Sequence, residues 1–167
     1  MGPVIGVEVV GVRVEMPGNQ PVLLLREILG SRYLPIWIGA VEATAIAFAQ
    51  QNVEPPRPLT HDLLCELLDT FGHQIDRVQI EKLEDGVFYA NLIFVGGHRV
   101  SARPSDAIAI ALRTGAEVEV ADEVLDEAGV EAPESEQEDS EIEAFREFLD
   151  NVSPEDFGGE SMDESGR

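Results

Sequence analysis

The stretch "QIDRVQIEKLEDGVFYANLIFVGGHRVSARPSDAIAIALR", residues 74–113, decides the fold. "QIDRVQIEKL", "VFYANLIFV" and "HRVSAR" carry β-branched and aromatic residues in short runs. "EDG" and "GGH", which supply the backbone freedom of tight turns, join them. An antiparallel meander is predicted. The texture then changes at Pro104, whose fixed φ suits a first helical position, and "SDAIAIALRT" continues as a helix stopped by Gly115. Three strands running directly into a helix favour an α+β domain over a regularly alternating parallel α/β sheet.

The pattern extends in both directions. Val4, Val7, Val9, Val10, Val12 and Val14 mark a long first strand, "MPGNQP" a turn, and "VLLLREI" and "YLPIWIG" two further strands expected to be buried on both faces. Trp37 and Phe48 are expected in the core. "AVEATAIAFAQQN" is alanine-dense, and alanine is the strongest helix former, so a closely packed helix is predicted before "VEPPRP" ends it. "LTHDLLCELLDTFG" follows as a second helix with Leu63, Leu64, Leu67, Leu68 and Phe71 at helical spacing. Thr60 is expected as its cap and Gly72 at its end. "AEVEVA" is a further short strand and "DEVLDEAG" a final helical turn or two. The expectation is an α+β fold of mixed or antiparallel sheets, about seven strands packed with three to four helices. "EATAIAF" at Glu42 and "DAIAIAL" at Asp106 echo one another, each after a strand, and could mark a structural repeat.

Residues 1–130 form the predicted domain and residues 131–167 an acidic C-terminal tail. The tail carries fourteen acids and two arginines. Its first part, "EAPESEQEDSE", has no apolar periodicity and reads as a solvated linker. In "SEIEAFREFLDNV", Ile142, Phe145, Phe148 and Leu149 share one helical face that can dock on its own domain or on a protein partner.

The 167 residues include 33 acids against 11 bases, a formal net charge of −22. That field opposes phosphate backbones and anionic membranes and speaks against a general nucleic-acid binder. Ten of the bases are arginine and Lys82 is the only lysine; arginine suits forked contacts with carboxylate or phosphate. No apolar run approaches the roughly 18 residues that span a bilayer, and "MGP" opens without a basic region or signal core. With Cys65 the only cysteine, no intrachain disulfide can form. A cytoplasmic protein is expected.

Three predicted helices each bear a carboxylate near the start: Glu42, Asp62 and Asp106. Capping and the helix dipole account for acids in those positions, but they do not require His61, and an imidazole is a side chain that can serve as general acid or base. Arg103, ending a strand beside a helix start, makes a plausible anion-binding corner with Ser105. Asp106 at the same corner would repel an anion unless Arg103 or a metal lay between. Glu42, Asp62 and Asp106 are candidate oxygen ligands for Mg²⁺ or Mn²⁺, should they converge. His73 and His98 are assigned no role, and no P-loop, dinucleotide fingerprint, paired-cysteine metal site or serine nucleophile elbow is present.

Together "LPIWIGAVEATAIAFA", "RPLTHDLLCELL", "VFYANLIF" and "RPSDAIAIALR", in this order, resemble the bifunctional nuclease domain family over about residues 4–130. "FREFLDNVSPEDF" is similar to the tail of mycobacterial and other actinobacterial members. The resemblance implies an α+β fold, association as a homo-oligomer, a dimer, and a capacity to degrade RNA and DNA as reported for plant members. The acidic tail stands where some relatives carry an additional interaction domain. The resulting expectation is a nuclease that binds its substrate weakly. Arg103 and Ser105 hold the phosphate, His61, Asp62 and Asp106 are catalytic, and Glu42, Asp62 and Asp106 are possible metal ligands. The competing expectation is a non-catalytic oligomeric domain that binds a protein or small ligand.

Overall fold

A computed structural model describes residues 2–131 of the chain. The expected tail helix and linker lie outside the described residues. The elements are β1 (Val4–Glu15), β2 (Gln20–Glu27), β3 (Arg32–Trp37), α1 (Ala40–Gln50), α2 (Thr60–Thr70), β4 (Ile75–Glu84), β5 (Val87–Phe94), β6 (Arg99–Ala102), α3 (Pro104–Thr114), β7 (Glu117–Ala121), α4 (Asp122–Ala128) and β8 (Val130–Glu131). The fold is α+β, with one mixed sheet in the order β6-β5-β4-β7-β1-β2-β3-β8.

Two meanders make up most of that sheet. Asp85 (φ 50°) and Gly86 (φ 77°) both adopt left-handed backbone, so the two-residue turn matches strand twist and sets Glu84 opposite Val87. β7 joins the meanders, running parallel to β4 and antiparallel to β1. At Gly11 (φ 151°) β1 carries a bulge, where a Cβ would come within 3.3 Å of Gln50 Oε1 at the end of α1. β8 is an eighth strand beyond the expected seven; its two residues pair with Arg32 and Tyr33 of β3.

Each meander leads into an alanine-rich helix, and α1 packs on α3. Ala43 and Ala45 of α1 and Ala107, Ala109 and Ala111 of α3 are buried, and small side chains let the two backbones approach closely. Around them Leu23, Leu25, Leu34, Ile46, Ile80, Ile108 and Ile110 are fully enclosed, each worth roughly 1.5–3 kcal/mol relative to exposure. The echoed heptapeptides thus occupy matching places, each at the start of the helix that follows a third meander strand.

Several expectations about burial are corrected. β3 buries Leu34 and Ile36 but leaves Trp37 55% exposed, because alternation in the strand turns it to the other side, where its indole N–H donates to Glu15 Oε2 (3.1 Å). No residue of α2 is fully buried. Leu63, Leu64, Leu67 and Phe71 are exposed, while Cys65 and Leu68 pack against the core. Apart from Leu68, the leucine stripe therefore faces outward, and the inward side of the first turn is polar.

Candidate active site

The first turns of α1, α2 and α3 are built alike. Gly39, Leu59 and Arg103 are their caps, in extended conformation and without a side-chain cap bond. The cap expected at Thr60 is thus at Leu59, while Arg103 caps α3 directly before Pro104 at the first helical position. Glu42, Asp62 and Asp106 each fall three places after the cap, where a carboxylate faces free backbone N–H groups and the positive end of the helix dipole.

Two of these first turns, remote in sequence, meet across one groove. His61 Nε2 lies 2.8 Å from Asp106 Oδ1, joining α2 to α3. Arg103 donates from Nε to Asp106 Oδ2 (2.8 Å) and from Nη2 to Glu42 Oε1 (2.9 Å), adding α1 to the network. The Arg103 side chain is 65% exposed while that of His61 is only 12% exposed, so the cation stands at the mouth and the imidazole within. Glu42, His61, Arg103 and Asp106 line a pocket of about 1070 Å³ whose remaining wall includes Val41, Leu59, Leu64, Leu92, Val100 and Ile110.

The Asp106 carboxyl is pushed up by burial, but hydrogen bonds from Arg103 and His61 outweigh that and hold it below the usual carboxylate range. The bonds to Asp106 and Glu42 in turn raise the Arg103 pKa. Asp106 is therefore an ionised acceptor at neutral pH. A neutral His61 must then carry its proton on Nε2, leaving Nδ1 as a lone-pair nitrogen. Nη1 of Arg103 has no hydrogen-bond partner among the described residues.

Asp62 and Ser105 are placed elsewhere. Neighbouring helical residues point about 100° apart, and beside inward-facing His61 the Asp62 carboxylate turns to Arg113. Oδ1 accepts from Arg113 Nε (2.6 Å) and Oδ2 from the Leu59 backbone N–H (2.9 Å). The Arg113 bond holds Asp62 below the usual carboxylate range against the opposing effect of burial. Asp62 does not line the pocket, and Ser105 is buried beneath the turn.

Arg113, in the last turn of α3, is a contributor that the helical spacing does not single out. Its side chain is 10% exposed, and besides Asp62 it bonds the Ala109 and Ala45 carbonyls (2.8 and 3.0 Å), tying α3 to α1 and α2. The available signal was an arginine ending an otherwise apolar helix. Because α2 buries so little apolar surface, this ion pair and the His61–Asp106 bond fix its first turn.

The arrangement does not fit a preformed metal site. Among the described residues no group of three or more His, Cys, Asp or Glu is placed to hold a metal ion. Glu42 and Asp106 face Arg103, and Asp62 faces Arg113. The expected three-carboxylate cluster is thus divided between two arginines. Among the described residues no helix is long and apolar enough to cross a membrane.

Residues 23–133 match the bifunctional nuclease domain family, a span that contains the whole pocket network. Two uncharacterized proteins of Mycobacterium tuberculosis, from strains CDC 1551 / Oshkosh and H37Rv, are each 56% identical to this chain over 158 residues, covering 90% of it and 96% of their own length. Bifunctional nuclease 2 of Oryza sativa subsp. japonica is 33% identical over 108 residues, which cover 60% of this chain and 33% of the rice protein.

Proposed function

The chain belongs to the bifunctional nuclease domain family, and from that premise we propose that it hydrolyses phosphodiester bonds of RNA and DNA at the pocket shared by α1, α2 and α3. The observation that carries this reading is the contact of His61 with Asp106 beside Arg103. Arg103 offers Nη1 to a phosphate oxygen and lies where negative charge would develop at phosphorus. Asp106 orients the imidazole and stabilises its protonated form, so that His61 Nδ1 can act as base. The water oxygen bonds to phosphorus, and its proton passes to Nδ1. The bond from phosphorus to the leaving sugar oxygen breaks, and the imidazolium returns the proton to that oxygen.

Asp62 serves here as a positioning residue, acting through Arg113 on the turn that presents His61. Mg²⁺ or Mn²⁺ could enter only if Arg103 gave up Glu42 and Asp106, so no step is derived through an ion. RNA or DNA is expected to bind weakly. The expected homodimer would cover the exposed Leu63 and Leu67 of α2 and Phe71 just after it.

The test is digestion of labelled RNA and DNA by purified protein, with and without chelator, beside His61→Ala and Asp106→Asn. Cleavage by the wild type that falls about 100-fold or more in His61→Ala supports the assignment. Equal cleavage in all three preparations assigns the activity to a contaminant. The second reading, a non-catalytic module for a protein or small ligand, draws on the aliphatic wall and on the pairing of Arg103 with two carboxylates. Absence of turnover with retained ligand binding would favour it.

A further inference from the structure

Charge and apolar surface are unequally distributed within the pocket. Among the described residues Arg103 is the only arginine or lysine lining it and is paired with Glu42 and Asp106, so with His61 neutral this lining carries net negative charge. Arg113 is committed to Asp62 and to backbone carbonyls, and Arg57, on the loop entering α2, does not line the pocket. Among the described residues no row of cations lines the pocket beside Arg103, as a bound polyanion would need. Among the described residues the rest of the lining includes the aliphatic Val41, Leu59, Leu64, Leu92, Val100 and Ile110 and no aromatic ring. A cavity of about 1070 Å³ has space for a base and its sugar beside a phosphate.

We infer that the pocket takes one nucleotide unit of a single strand, with one phosphate at Arg103 and its base against the aliphatic wall. The substrate class is thus short single-stranded oligonucleotides and strand ends. This rests on the assignment of Arg103 as the phosphate contact. A base within a duplex is stacked and paired, and delivering it to the wall costs a few kcal/mol of unstacking that one phosphate contact offsets poorly. Because most of the binding surface is uncharged, affinity depends little on strand length and little on salt, which is how an acidic protein can handle an acidic substrate at all.

The experiment is calorimetric binding of a phosphorothioate-linked dinucleotide, a longer single strand and the corresponding duplex to the full chain at several salt concentrations, with cleavage of the unmodified strands measured in parallel. The expected result is similar affinity for the dinucleotide and the long single strand, at least about 10-fold weaker duplex binding, and a logarithmic salt slope of about −0.7, as neutralising one phosphate of a single strand gives. Leu64→Gln, a partly exposed wall residue outside the charged network, should weaken the dinucleotide about 5-fold. Affinity rising steeply with length, a slope several-fold larger, or no effect of Leu64→Gln would overturn the inference. If long strands are cleaved with a steep slope, the one-unit pocket falls and the nuclease assignment stands. If the dinucleotide binds as described and nothing is cleaved, the ligand class stands and the nuclease assignment falls. No binding of any strand removes both.

Discussion

Two arginines in this molecule are each held by two or more carboxylates, yet their surroundings differ. Arg32 opens β3 and donates to Glu27, Asp122 and Asp126, all at 2.8 Å, closing the β2–β3 turn onto the first turns of α4. Its side chain is only 21% exposed and Glu27 is buried. Gly30 covers the pair so closely that a Cβ there would lie 2.3 Å from Glu27 Oε2. Arg103 makes comparable bonds but stands at the mouth of an open pocket with a histidine on the same carboxylate. Ion-pair chemistry alone does not distinguish a clamp from a site. Solvent access and a histidine on the shared carboxylate set Arg103 apart.

That contrast can be broken by exchanging the losses. Arg103→Ala should lower kcat/KM on single-stranded oligonucleotides roughly 100-fold, as removal of a charge-stabilising donor does, while costing under about 1 kcal/mol of stability because the pair is exposed. Arg32→Ala should do the reverse. Left with the unpaired buried Glu27, the protein should lose about 3 kcal/mol in denaturant unfolding, with turnover per folded molecule unchanged. Equal stability losses in the two variants would erase the distinction between clamp and site.

Asp62→Asn sharpens the comparison at a third place, since it weakens the Arg113 pair without touching the pocket. A stability loss of about 1–2 kcal/mol should accompany a fall in kcat with KM nearly constant, because the turn that presents His61 loosens while the phosphate contact remains. A changed KM with normal kcat would place Asp62 in substrate binding instead. The smallest effect is that of acid. Glu27, Asp62 and Asp106 all have pKa values depressed by their partners, so their stabilisation is fully present above the ordinary carboxylate range and is lost as pH falls below about 4. Arg32→Ala should flatten that acid limb measurably in thermal melts, and Arg103→Ala should flatten it less.

Much of the fold could be read along the chain because the signals are local. The turn at Asp85 and Gly86, the stop at Gly115 and Pro104 opening α3 each follow from one residue's backbone preference. Carboxylates at the starts of α1, α2 and α3 were equally legible. Their partners were not. His61 and Asp106 are 45 residues apart, and Arg113 and Asp62 are 51 apart. Nothing in the helical spacing states that His61 turns to one partner and Asp62 to another. Nor does the spacing of Leu63, Leu67 and Phe71 say whether that side of α2 meets the core or solvent. Trp37 misled for the same reason, since an apolar run does not record which side of a strand is covered.

The sequence by itself determined the element types, the helix starts that bear the carboxylates and the family to which they point. These depend on interactions within a few residues, where backbone preference and capping dominate. Only the tertiary structure decided that Asp106 joins His61 and Arg103 in an open pocket, that Asp62 is drawn away by Arg113 and that Ser105 is sealed beneath the turn. The physical reason is that a side chain's partner is chosen by how α1 and α3 pack on the shared sheet and how α2 lies against α3, and that packing is set by the whole core at once.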